Sequence, residues 1–107
     1  MGGSIAYIAP EQITNYRDSE PPGDLYSTAA SLYTMLSGRY IYDFPPQLNK
    51  RVLMILQDDP IPIAERDASI PPALAHVIHK ALSRKPEDRY HSAKVMRQAL
   101  LPFAEKR

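Results

Sequence analysis

The chain has 107 residues, with 13 basic against 12 acidic side chains and a net charge of +1. That near balance offers no field to draw nucleic acid or an anionic membrane, so neither is expected as a partner. The absence of cysteine excludes disulfides and thiolate metal sites and fits a reducing, cytoplasmic setting. Hydrophobic residues make up 44% of the chain, too many for a disordered one. No apolar run approaches the ~20 residues that a membrane-spanning helix needs. The start, Met1-Gly2-Gly3-Ser4, lacks a basic stretch followed by an apolar block, so no secretory signal is expected.

Eleven prolines punctuate the chain, in clusters at 21–22, 45–46, 60–62 and 71–72. Residues 1–23 precede the first helical stripe and read as a long irregular loop. The first helix is expected over 24–37, where Leu25, Ala29, Leu32, Tyr33 and Leu36 repeat at helical spacing. Asp24 suits the helix start, where its carboxylate can accept open N–H groups, and Gly38 suits a left-handed exit. Ala30 and Met35 extend the apolar surface off the main face, which predicts a central helix. Tyr26 and Tyr33 share its spacing and read as core.

A second helix is expected over 46–57, with Leu48, Val52, Ile55 and Leu56 as its stripe and Pro60-Ile61-Pro62 as its stop. Residues 59–71 show no stripe. A third helix is expected over 72–84, where proline suits the first turn and Leu74, Val77, Ile78, Ala81 and Leu82 form one face. The fourth is expected over 92–104, capped by Ser92, with Pro102 as the place where it ends or bends. His76 and His79 stand one helical turn apart, but no third ligand accompanies them, so no metal is expected. The fold class is all-α, with about four helices and no alternating strand pattern.

Three stretches carry a family resemblance. Gly3-Ser4-Ile5-Ala6-Tyr7-Ile8-Ala9-Pro10-Glu11-Gln12 resembles the end of a protein-kinase activation segment, G-T-x-x-Y-M-A-P-E. Residues 24–39, from Asp24-Leu25-Tyr26-Ser27 to Leu36-Ser37-Gly38-Arg39, resemble D-x-[WY]-S-x-G-x-x-L-Y-E-M-L-x-G, with Ala29 where the family has glycine. Leu82-Ser83-Arg84-Lys85-Pro86-Glu87-Asp88-Arg89 resembles L-x-x-D-P-x-x-R, with Lys85 in place of the aspartate. The order and spacing are those of the serine/threonine protein kinase family, and residues 63–82 are most similar to its bacterial members.

The resemblance implies a partial kinase C-lobe spanning 1–107. Residues 1–23 would be the end of the activation segment and the loop facing the residue after the phosphorylated one; residues 24–107 would be the helical subdomain. Ser4, Ile5, Ala6 and Tyr7 would line the substrate pocket. Glu11 and Arg89 would form a structural ion pair, a planar guanidinium holding a carboxylate through two bonds. Taken without the resemblance, the same two residues read as solvated surface charges. Asp24 would be a structural carboxylate at the start of the central helix.

Phosphoryl transfer needs a glycine loop over the phosphates, a lysine on the nucleotide, a carboxylate at the acceptor hydroxyl and ligands for magnesium. G-x-G-x-x-G, V-A-I-K, H-R-D and D-F-G are all absent from these 107 residues. No catalytic residue, cofactor or metal site is therefore expected in this chain, although an intact kinase would use Mg-ATP and a protein substrate. Two readings follow. One is the lobe of a kinase whose partners are a missing N-lobe and catalytic loop. The other is a free-standing, inactive kinase remnant that self-associates or binds other proteins through its uncovered apolar surface.

Overall fold

Proline and capping chemistry divide the described residues into six α-helices and two 3-10 turns. The structure is a computed structural model that describes residues 4–14 and 21–104, with side chains over 6–13 and 23–104. A 3-10 turn, Ser4–Tyr7, leads into α1 (Pro10–Thr14). Then follow α2 (Pro21–Ser37), α3 (Leu48–Gln57), α4 (Ile63–Arg66), α5 (Pro72–Ala81), a second 3-10 turn (Pro86–Asp88) and α6 (Ala93–Ala104). The described residues are all-helical apart from their connections and contain no strand.

Residues 4–14 are more regular than their lack of a stripe suggests. In α1, Pro10 occupies the first helical position, where no N–H is needed. Gln12 reaches back with Oε1 to accept the Ala9 N–H at 3.0 Å, which is half of a capping box. Helix α2 starts at Pro21, three residues earlier than expected, because two prolines can occupy a first turn. Asp24 is therefore an exposed carboxylate inside the first turn, near the positive end of the helix dipole, and does not occupy the cap. At the other end Gly38 adopts φ 74°, and its N–H bonds to the Thr34 carbonyl at 2.8 Å.

Helix α2 is the axis of the molecule. It touches both 3-10 turns, α4, α5 and α6, and buries Leu25, Tyr26, Ala29, Ala30 and Tyr33. Its last turn departs from the expected apolar girdle, since Met35 is 80% exposed and Leu36 is also exposed. Helix α3 begins at Leu48 and buries Ile55. Helix α4 lies where no helix is expected, because four residues are too few to display a period. Its Ile63 is fully buried, and the Ile63 N–H donates to His79 Nε2 at 3.0 Å.

Helix α5 ends at Ala81 rather than 84. The Leu82 N–H is shared between the Ile78 and His79 carbonyls, a tightening typical of helix ends. Ser92 Oγ accepts the Val95 N–H at 3.2 Å and caps α6. Pro102 does not end α6, which continues to Ala104; so near the terminus proline removes a single ladder bond. The core joins Ala9 to α2 and to Ile41, Tyr42, Ile55, Ile63, Ile70, Ile78, Leu82 and Met96.

Candidate functional site

Two arrangements of charged and aromatic side chains organise one end of α2. The first is built around Arg89. Lys85 is extended, as residues before proline are, and the 3-10 turn that follows delivers Arg89 inward. The Arg89 side chain is fully buried. Nη1 donates to Glu11 Oε2 at 2.7 Å and Nη2 to Oε1 at 2.9 Å, which makes two parallel bonds across 78 positions of sequence. Nε donates to the Ser83 carbonyl at 2.8 Å, and Nη2 also reaches the Arg84 carbonyl at 3.3 Å. The guanidinium lies 5.1 Å from the centre of the Tyr26 ring.

Burial pushes the Glu11 carboxyl up, but the Arg89 bonds outweigh it and hold the group below the ordinary glutamate range. The pair fastens α1 to the connection between α5 and α6. Ser27 on α2 adds a second fastening by donating its hydroxyl to the Tyr7 carbonyl. Beneath the clamp the Tyr26 hydroxyl is buried without a hydrogen bond of good geometry, and burial pushes its pKa up to about 12. A cavity of about 260 Å3 opens there between Tyr26, Tyr42, His79 and Arg84.

The second arrangement is an open cleft of about 790 Å3. It is lined by Ala6 and Tyr7 together with Thr34, Tyr40, Phe44 and Arg51. Its rings meet edge to face: Tyr7 with Tyr40 at 6.1 Å, and Tyr40 with Phe44 at 6.1 Å. Arg66 of α4 holds this lining from behind. Its side chain, only 7% exposed, pairs with Asp43 at 2.8 Å and donates to the Tyr40 carbonyl at 3.0 Å. It also donates to the Tyr33 hydroxyl, which in turn donates to the Ile61 carbonyl at 2.7 Å. Asp43 also receives Arg39 at 3.1 Å, and the bond from Arg66 leads the effects that lower its carboxyl pKa.

Of the residues singled out from sequence, Glu11 and Arg89 are brought together, and Ala6 and Tyr7 line the cleft. The side chains of Ser4 and Ile5 lie outside the described residues. Asp24 does not border the cleft. His79 is an internal acceptor for Ile63, and burial lowers its pKa; His76 is exposed. Sequence reasoning missed Arg66, Asp43 and Ser27. Arg66 sits on a one-turn helix in a stretch without a stripe, so no periodic signal could single it out.

A central helix, a clamped segment ahead of it and an open cleft between them define the helical lobe of a protein kinase. The chain belongs to the serine/threonine protein kinase family. It is 33% identical over 105 residues to the serine/threonine-protein kinase PknB of Mycolicibacterium smegmatis, covering 96% of this chain and 16% of that protein. It is 37% identical over 98 residues to the serine/threonine-protein kinase Pkn1 of Myxococcus xanthus, covering 92% of this chain and 14% of that protein. Against the serine/threonine-protein kinase PknD of Chlamydia trachomatis it is 32% identical over 105 residues, or 11% of that protein. The chain thus spans only a small part of the curated relatives that it matches. No family model matches the chain.

Proposed function

We propose that this chain is the acceptor-docking lobe of a serine/threonine protein kinase acting in the cytoplasm. Residues 1–23 supply the end of the activation segment and the loop beside the acceptor, and residues 24–107 supply the helical support. In the intact kinase the acceptor polypeptide lies against Ala6 and Tyr7, and the N-lobe and catalytic loop bring Mg-ATP to it. The observation that carries this reading is the buried two-bond grip of Arg89 on Glu11, which with the Ser27 bond to Tyr7 holds the segment carrying Tyr7 on the helical support.

The described residues do not fit Mg-ATP. Asp43 and Asp59 are both held by arginines, and no three His, Asp or Glu side chains converge among them. The 107 residues are accordingly proposed to bind no nucleotide and to transfer no phosphate by themselves. Docking is positioning, which supplies part of the catalytic power of phosphoryl transfer. A second reading, a self-associating or protein-binding helical module, draws on the exposed Met35 and Leu36 of α2 and the exposed Leu48 and Leu53 of α3.

Replacing the matching lobe of the Mycolicibacterium kinase with residues 4–104 tests the first reading. A folded chimera that phosphorylates serine or threonine, and loses that activity with Arg89→Ala, is expected. A folded chimera with no transfer contradicts it. In a thermal-shift titration of the 107-residue chain, Mg-ATP should leave the melting temperature unchanged. Sedimentation of the same chain as a stable dimer would favour the second reading.

A further inference from the structure

We infer that the cleft beside Tyr7 selects acidic polypeptide segments. This rests on the docking reading above and names the class of polypeptide that the same site accepts. Among the described residues, those bordering the cleft include two arginines, Arg39 and Arg51, against a single carboxylate, Asp43. That carboxylate is already committed. Arg66 holds it from behind at 2.8 Å and Arg39 from the rim at 3.1 Å. Arg51 has no ion-pair partner among the described residues; its Nε donates to the Pro45 carbonyl at 2.6 Å, which leaves the far edge of the guanidinium for a ligand. The Arg39 side chain is 59% exposed.

The described lining is therefore rich in aromatic rings, with a surplus of positive charge. An incoming lysine or arginine would meet two like charges and find the cleft's carboxylate occupied. An incoming aspartate or glutamate can take Arg51 and share Arg39 without leaving any buried charge unpaired. Thr34 contributes to the same selection. Its hydroxyl is buried in the wall and carries no charge, and the kinase pattern has glutamate there. Nucleic acid fits less well, because two arginines are few for tracking a phosphate backbone. The whole chain's charge of +1 also supplies little attraction for a phosphate backbone.

The test uses the 107-residue chain and three short peptides that share a serine followed by an apolar residue and differ only in flanking Asp/Glu, Ser/Gly or Lys/Arg. Binding is followed by NMR shifts of the Gly38, Tyr40 and Phe44 amides. The acidic peptide should bind about tenfold more tightly than the basic one, and added salt should erode the difference. The double variant Arg39→Glu, Arg51→Glu should reverse the order. Arg51→Lys keeps the charge and should keep the preference, which separates charge from loss of the Pro45 bond. Melting curves establish that each variant is folded. Equal or stronger binding of the basic peptide overturns the acidic preference and leaves the docking reading standing. Failure of all three peptides to shift these amides at millimolar concentration overturns both. A single-stranded oligonucleotide that displaces the acidic peptide would assign the cleft to nucleic acid and overturn the proposal.

Discussion

The molecule uses the same chemistry, arginine gripping a carboxylate, in two places with different consequences. Arg89 and Glu11 meet where the guanidinium is fully buried, and two carbonyls and a ring occupy its other sides. Arg39 and Arg66 meet Asp43 on a carboxylate that stands largely in water. In the first place water cannot replace a lost partner, so the pair acts as a fastening. In the second, water and salt reach Asp43 and Arg39, although Arg66 is nearly buried, so the Arg39 pair adds little stability and sets the sign of a surface.

The sharpest break in that comparison is Arg89→Ala, which strands Glu11 and opens the space over Tyr26. It should cost about 3–5 kcal/mol in urea unfolding, whereas Arg97→Ala on exposed α6 should stay within about 0.5 kcal/mol. Gly38→Ala probes the joint between the two regions. A Cβ there meets nothing within 4 Å, so only the positive φ opposes it, and a loss of about 1–2 kcal/mol is expected. Tyr33→Phe removes the bond to Ile61 and should cost about 1 kcal/mol. Asp43→Asn should change thermal stability least while altering the charge of the cleft.

Two partly buried groups, His79 and Glu11, couple this stability to pH. His79 must be unprotonated to accept the Ile63 N–H, and burial depresses its pKa below the ordinary histidine value. Its contribution is complete above about pH 6.5 and is lost as pH falls through the depressed value. Glu11 is depressed as well, so its contribution is complete above the ordinary glutamate range and is lost as pH falls below it. Unfolding free energy should therefore fall in two stages on acidification. His79→Gln should flatten the upper stage, and Glu11→Gln the lower.

The sequence reveals the central helix, the family and the two members of the clamp, because periodicity and ordered motifs carry them. The limits of that reading have physical causes. Helix α4 is one turn long and has no period, so Arg66 reads as a loop charge although it supports a cleft wall. Tandem prolines read as a break, yet they fit the first turn of α2 and move Asp24 off the cap. Met35 reads as part of an apolar girdle, but it lies beyond the elements that cover the rest of the helix. Asp43 reads as any surface aspartate with an arginine four residues before it, because its buried partner Arg66 comes from a separate segment.

The account depends most on the two clamp residues acting as a unit, and a double-mutant cycle measures that directly. Glu11→Ala, Arg89→Ala and the double variant are to be unfolded in urea at neutral pH. The predicted result is a coupling of about 2–3 kcal/mol, so that the double variant loses much less than the sum of the two single losses. Losses that add to within about 0.5 kcal/mol would show two independent charges and contradict the claim that this pair holds the N-terminal segment on the lobe.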